Sequence, residues 1–164
     1  MAREIDITSA TERVIAGLQG DFELSCHFAA EKFGPMVESE IELMLLTSLM
    51  MAGRMMKMNI YIAETDEIPT GQYDIAIIPQ FRWGDYRIDF WLRHKNCPAP
   101  IFIECDGHDF HERTKEQAER DRSRDRAVQA AGIPILRFTG REIWRDTGAI
   151  VTEIFRFIMT TAEG

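Results

Sequence analysis

Residues 86–107, YRIDFWLRHKNCPAPIFIECDG, carry the strongest indication of the fold. They contain two apolar, strand-like runs joined by a loop with two prolines. Asp89 lies inside the first run, and Glu104 and Asp106 lie in or directly after the second. Carboxylates are rare in apolar strands because burying an unpaired charge costs free energy. Three of them on neighbouring strands predict a site for a divalent metal, and with it hydrolytic chemistry.

The composition is typical of one globular domain. A chain of 164 residues can bury its own core, so we expect a single domain over residues 1–164. No apolar run approaches the roughly 20 residues of a membrane span, which predicts no membrane partner. The N-terminus lacks a basic segment followed by an apolar one, and the three cysteines are odd in number and widely spaced. A cytoplasmic location is therefore expected.

The net charge of −8 is unevenly distributed. Residues 1–74 carry 13 acidic and 5 basic side chains, whereas residues 75–164 carry 14 of each. The half with the unusual carboxylates is thus neutral overall, so the acidic total does not exclude a polyanionic partner. Of the 19 basic residues 15 are arginine, which suits bidentate phosphate contacts. A solvated surface of mixed charge is the alternative interpretation.

Hydrophobic periodicity and turn residues predict the order of the elements. A helical N-terminal extension covers residues 1–35, with a short helix at 8–19 and an ambiguous segment at 22–34. The predicted core covers residues 39–138 and is followed by a C-terminal helix at 140–161. The core contains helices at 39–52, ended by Gly53, and at 114–131, and strands at 58–64, 72–81, 86–93, 100–105 and 134–138.

These elements predict an α/β fold with a mixed central sheet flanked by helices. The first three strands look antiparallel. The last two, joined by a long helix, should be parallel through a right-handed crossover. Strand alternation predicts two faces for the third strand, one with Ile88, Phe90 and Leu92, the other with Arg87, Asp89 and Trp91.

The carboxylates converge if the third and fourth strands pair with their polar faces aligned. Asp89 and Glu104 would then meet, and with a backbone carbonyl and waters they would form an oxygen-rich site for Mg²⁺ or Mn²⁺. Alternatively, these acids pair with arginines such as Arg87 or Arg137.

Three further residues are candidates for the same site. His108 and His111 follow the carboxyl end of the fourth strand, where open α/β sheets place ligands, and each could be a general base, a general acid or a metal ligand. Surface histidines are the alternative. Glu42 lies in a helix that otherwise looks buried, so it needs a partner. That partner is a metal-bound water or the capping box with Ser39; Glu40 replaces Glu42 if the helical register differs.

The charged segment RTKEQAERDRSRDR is open to two interpretations. It is a solvated helix with alternating charges, or its Arg120, Arg124 and Arg126 contact a phosphate backbone.

With these residues in place, the chain resembles the PD-(D/E)xK nuclease superfamily, whose core is αβββαβ. Within it, the sequence resembles the branch of the very-short-patch-repair endonucleases. Gln80 fits a polar position before the third strand. The matching segments are Glu42, YRIDF (86–90), ECDGHDFH (104–111), DRSRD (121–125) and GIPILRF (132–138).

The resemblance implies roles for these residues. Asp89 and Glu104 would be metal ligands, with the main-chain carbonyl of Cys105 as a third. His108 or His111 would transfer protons, and Glu42 would assist through a metal-bound water. Nucleic-acid binding or support of the site is assigned to Gln80, Arg87, Asp121, Arg124 and Asp125.

The sequence departs from the superfamily pattern at Asp106, which occupies the position of the catalytic lysine. An aspartate cannot supply the electrostatic effect of a lysine, so a histidine or a second ion would have to replace it.

The expected function is that of a metal-dependent nuclease that hydrolyses phosphodiester bonds in DNA, with RNA as an open alternative. Repair, restriction and mobile-element roles are all compatible, and double-strand cutting would require a homodimer. One alternative is a catalytically inactive module of the same fold that binds nucleic acid or a partner protein. Another is a zinc hydrolase that acts through His108, His111 and Glu104.

Overall fold

The computed structural model describes residues 7–65, 67–107 and 115–162. The helices are α1 (Ile7–Phe33), α2 (Glu40–Met55), α3 (Lys115–Ala130), α4 (Gly140–Arg145) and α5 (Thr147–Ala162), with a short 3₁₀ turn at Gly34–Met36. The strands are β1 (Ile60–Ile62), β2 (Ile75–Trp83), β3 (Tyr86–His94), β4 (Ile101–Asp106) and β5 (Ile135–Thr139). The order α2–β2–β3–β4–α3–β5 gives the expected αβββαβ core, so the predicted α/β fold is confirmed. None of the described helices is long and apolar enough to cross a membrane.

The five strands form one sheet in chain order. As predicted, β3 is antiparallel to β2, and β4 and β5 are parallel. The β3–β4 pair is also antiparallel. The prediction of an antiparallel first pair is wrong, because β1 runs parallel to β2. The connection through residues 63–74 is long enough for the chain to return to the start of the sheet before β2 begins.

Three predicted helix boundaries differ from the structure. The N-terminal segment is one continuous helix, α1, rather than a short helix and an ambiguous segment. Gly53 does not end α2, which continues to Met55. At Gly53 the helix passes so close to the Ile60 side chain that a β-carbon would collide with it. The C-terminal helix is divided at Asp146, whose backbone is not helical (φ −161°, ψ 82°) and whose Oδ1 accepts a hydrogen bond from the Ala149 N–H at the start of α5. Thr139 and Glu142 form the capping box that begins α4.

Apolar side chains cover both faces of the sheet. The larger cluster packs α2 and α5 against one face, and Leu45, Leu49, Phe90, Leu92 and Ile154 are among its members. The smaller cluster joins Val128 of α3 to Phe81, Ile88, Trp91 and Phe102. The prediction that Ile88 shares a face with Phe90 and Leu92 is therefore wrong.

A break in the β2–β3 ladder explains the position of Ile88. Pro79 pairs with Phe90 and Phe81 pairs with Ile88, but Gln80 and Asp89, which lie between these pairs, are not bonded in the ladder. Gln80 has φ 53°, in the left-handed region that side chains other than glycine rarely adopt. The backbone therefore turns at Gln80, and the alternation of side chains changes face at this point.

This strain leads to a test at Gln80. Glycine inside a strand is normally less stable than alanine, but φ near 50° favours glycine. We expect Gln80→Gly to be more stable than Gln80→Ala by about 1 kcal/mol in urea denaturation. The matched control is Arg93, an exposed β3 residue with ordinary φ, where the alanine variant should be the more stable. The same order at both positions would refute strain at Gln80.

Candidate active site

Strands β3 and β4 separate next to the two central carboxylates. The β3–β4 ladder ends at the pair Phe90 and Ile103, whereas β4 continues to pair with β5 as far as Asp106. We call this point of separation the fork. Asp89 and Glu104 are the next residues in register, so they lie opposite each other across the fork.

A side chain replaces the missing backbone bonds at the fork. Oδ2 of Asp89 accepts a hydrogen bond of 2.6 Å from the main-chain N–H of Cys105. This bond fixes the Asp89 carboxylate between the strands and brings it close to Glu104. The structure thus brings together the two residues that the sequence predicts as the centre of the site.

The surroundings disfavour the charged forms of both acids. Burial raises the pKa of Asp89 to about 6; the Cys105 hydrogen bond opposes this shift and the Glu42 carboxylate adds to it. Burial, and secondly the charge of Asp89, raise the pKa of Glu104 to about 8. Two neighbouring carboxylates, one half-buried and one buried, gain from a shared proton or a cation. The site is therefore electrostatically suited to a positive ligand.

Arg124 of α3 provides part of that positive charge. Its Nη1 lies 3.1 Å from Oε2 of Glu104, and its Nη2 lies 3.8 Å from Oδ1 of Asp121. Glu104 is only 4% exposed, yet its second oxygen, Oε1, has no hydrogen-bond partner among the described residues. A buried acceptor without a partner is destabilising, and it offers a free coordination position.

Asp106 also pairs with an arginine, which is the alternative that the sequence left open for these acids. Arg137 donates from Nε to Oδ2 of Asp106 at 3.2 Å and from Nη2 to Oδ1 at 2.9 Å. It donates further from Nη1 to Asp125 at 2.8 Å. These acids raise the pKa of Arg137, with the Asp106 hydrogen bonds as the largest cause, so the guanidinium stays charged. Arg137 of β5 thus connects Asp106 of β4 to Asp125 of α3.

Glu42 is buried at the start of α2 and is fully engaged. Its Oε2 accepts from the Glu38 N–H at 2.9 Å and from Nε2 of Gln80 at 2.5 Å, and its Oε1 accepts from the Ser39 hydroxyl at 2.6 Å. Ser39 in turn accepts from the Glu42 N–H at 3.3 Å. In a full capping box the Glu42 carboxylate would accept from the main-chain N–H of Ser39. Here it accepts from the main-chain N–H of Glu38, so the predicted capping box is only half formed. Glu42 thereby holds the strained Gln80 beside the fork.

Several contacts around the site have no local signal in the sequence. Arg87 pairs with Glu38 at 2.6 Å on the surface, and the Tyr86 hydroxyl lies 3.0 Å from the Ser123 hydroxyl. Both tyrosine and serine occur in the quoted motifs, but only the packing of α3 on the hairpin reveals their contact. Glu40, the candidate that would replace Glu42 in a different helical register, is exposed.

The predicted histidines His108 and His111 lie outside the described residues. Cys105 is described, and burial strongly raises the pKa of its thiol, so the side chain stays neutral. Its main-chain carbonyl remains the donor that the sequence predicts.

The donor set fits a hard divalent cation. Within the described ranges no group of three or more His, Cys, Asp or Glu side chains could hold a metal ion. Two carboxylates are nevertheless sufficient for Mg²⁺ or Mn²⁺ when main-chain oxygen and water complete the coordination. The partnerless Oε1 of Glu104 is the observation that supports this fit.

Comparison with known proteins identifies the family. The family model REase_MTES_1575 matches residues 66–158, more than half of the chain, including β2 to β5 and the acids at the fork. The chain therefore belongs to this restriction-endonuclease-like family, which confirms the resemblance at that level. No curated protein matches the chain.

The raised pKa values lead to a test of the metal-free protein. An acid whose folded pKa exceeds its unfolded value binds extra protons when folded, so stability falls as pH rises through the interval between them. For Glu104 that interval runs from 4.5 to about 8. Between pH 5 and pH 9 in EDTA, we expect the unfolding free energy of the native protein to fall relative to Glu104→Gln by at least about 1.4 kcal/mol, the equivalent of one pKa unit.

Urea denaturation at several pH values measures this difference. Glu153→Gln, an exposed change of the same kind on α5, should follow the native protein at every pH. Parallel pH profiles for the native protein and Glu104→Gln would contradict the burial of a destabilised carboxylate.

Proposed function

We propose that this member of the restriction-endonuclease-like family is a metal-dependent nuclease that hydrolyses phosphodiester bonds in DNA. The observation that carries the proposal is the pair of acids at the fork, the half-buried Asp89 opposite the buried Glu104, whose Oε1 has no partner among the described residues. Mg²⁺ or Mn²⁺ would be held by these two carboxylates and the Cys105 carbonyl. A divalent ion in such a site makes water more acidic and stabilises the negative charge of phosphoryl transfer.

The residues around the acids would keep them in place. The Cys105 N–H restrains Asp89, and Glu42 restrains the adjacent Gln80. Arg137 fixes Asp106 and Asp125 in one rigid cluster. This preorganisation supports catalysis because the acids need not rearrange when the substrate arrives.

Arg124 is the cation that we assign to the position left open by Asp106. It is mostly buried and contacts Glu104, so a phosphate bound at the fork would lie within reach of a fixed guanidinium. Arginine suits this role because its fork geometry matches phosphate oxygens. Asp121, 3.8 Å from Arg124, would help to orient it.

Proton transfer to the leaving oxygen is assigned to His108 or His111. This assignment rests on their place in the sequence after β4, at the edge where α/β sheets bind ligands. Similarity to the very-short-patch-repair branch, action on RNA, a homodimer and a cytoplasmic location also remain proposals.

A second function is favoured by one contact. The Arg124–Glu104 ion pair supplies a counter-ion without any metal, as in a protein of the same fold that binds nucleic acid or a partner protein but does not cleave. Such a module would bind DNA and show no turnover with any metal. The zinc hydrolase would instead contain tightly bound zinc as purified.

Cleavage of supercoiled plasmid tests the main proposal. With Mg²⁺ or Mn²⁺ we expect nicked or linear product, and we expect Asp89→Asn and Glu104→Gln each to reduce the rate at least about 100-fold, since each removes a charged metal ligand. Glu153→Gln is the control and should cleave normally. Activity that persists in Asp89→Asn would show that the cleavage arises elsewhere.

Thermal unfolding gives a readout that does not depend on activity. A ligand that binds only the folded state stabilises it by about 2.7 kcal/mol at 100 times its dissociation constant. At pH 8, Mg²⁺ or Mn²⁺ should raise the melting temperature of the native protein and of Glu153→Gln, but not that of Asp89→Asn. Equal shifts in all three proteins would place the bound ion away from the fork.

A further inference from the structure

A groove leads to the fork between the β2–β3 hairpin and α3. Arg82 and Arg87 line its hairpin side, and Arg120 and Arg124 line its helix side. The groove consists of two adjoining cavities that share Asp85, Tyr86, Arg87 and Arg120, so it is continuous. At its inner end Arg124 contacts Glu104. A molecule lying in the groove would therefore reach the candidate active site.

Two exposed arginines of the groove have no acidic partner. Four arginines line the walls together with Asp85 and Asp121, and two of them are paired, Arg87 with Glu38 and Arg124 with Glu104. Arg82 and Arg120 are exposed, and neither forms an ion pair within the described part of the chain. Exposed guanidinium groups without a partner, on opposite walls of one groove, indicate an anionic ligand.

The β2–β3 register gives an independent indication of an anion. Arg82 pairs directly with Arg87 across the antiparallel ladder. Like charges at directly opposite positions destabilise a sheet. Arg87 is partly neutralised by Glu38, but both side chains are more than half exposed, so that ion pair contributes little. An anion bound between the two arginines would remove the repulsion.

The groove has a fixed width. The hydrogen bond between the Tyr86 and Ser123 hydroxyls, 3.0 Å long, ties the hairpin to α3. This hydrogen bond restrains the separation of the two walls and of the arginines on them.

We propose that this groove binds the phosphodiester backbone of a nucleic-acid strand, with Arg82 and Arg120 on phosphates beyond the bond at the fork. Arginines on both walls, from the hairpin to the contact of Arg124 with Glu104, favour a strand over a single free phosphate. The direction of the strand towards the fork rests on the proposed nuclease function, whereas binding itself does not. Glu38 competes with phosphate for Arg87, so it limits the affinity.

Binding is tested with a fluorescent DNA duplex of about 20 base pairs, by anisotropy in EDTA over a range of salt concentrations. Each arginine–phosphate contact contributes about 0.9 to the slope of log affinity against log salt. The double variant Arg82→Gln/Arg120→Gln should bind at least about tenfold more weakly and lose about 1.8 from that slope. The control, Arg54→Gln/Arg156→Gln, removes two exposed arginines outside the groove and should bind as the native protein does.

A variant that should bind DNA more tightly distinguishes a loss of phosphate contacts from a loss of affinity through misfolding. Glu38→Gln frees Arg87 for phosphate, so we expect tighter binding and a slope steeper by about 0.9. Glu40→Gln removes an equal charge from the exposed start of α2 and should have a much smaller effect. Equal effects of the two substitutions would overturn the assignment of Arg87 to the groove.

The outcomes separate the groove from the nuclease proposal. If no protein cleaves plasmid but the arginine variants lose binding as expected, the groove stands and the nuclease proposal fails. If the native protein cleaves and the double variant binds and cleaves equally well, the groove proposal fails alone. Displacement of the duplex by polyglutamate at equal charge concentration would also overturn it, because the surface would then accept any polyanion.

Discussion

The candidate site depends on one hydrogen bond, from the Cys105 N–H to the Asp89 carboxylate. Where two strands separate, backbone donors lose their partners, and a buried N–H without a partner is destabilising. Asp89 satisfies that donor and is itself fixed by it. The same bond therefore closes the sheet at the fork and positions an acid opposite Glu104. One side chain thus combines a contribution to stability with the position that we propose for a metal ligand.

The sequence predicted the architecture because the apolar pattern is strong. The apolar strand β4 with its terminal acids, and the long helix that returns to β5, define the parallel pair and the position of Glu104. Asp89 could be predicted as a site residue for a similar reason, because a carboxylate within an apolar strand requires a partner.

Other features depend on contacts between distant residues and lack a local signal. Position 80 holds neither glycine nor asparagine, the residues that would indicate a left-handed φ in the sequence. This backbone conformation changes the face of the sheet on which Ile88 lies. The pairing of Glu104 with Arg124 rather than Arg137 depends on how α3 lies on the sheet. The parallel direction of β1 is set by the path of a loop. Each of these was decided by tertiary packing, which local patterns do not encode.

The ion pair between Arg124 and Glu104 has a consequence for metal binding at the fork. The folded protein already contains a counter-ion for Glu104, which is only 4% exposed, so folding does not require a metal. The divalent ion that we propose would have to share Glu104 with this guanidinium or displace it. Its binding free energy would then be the difference between two attractions, so occupancy of the site would follow the concentration of the metal.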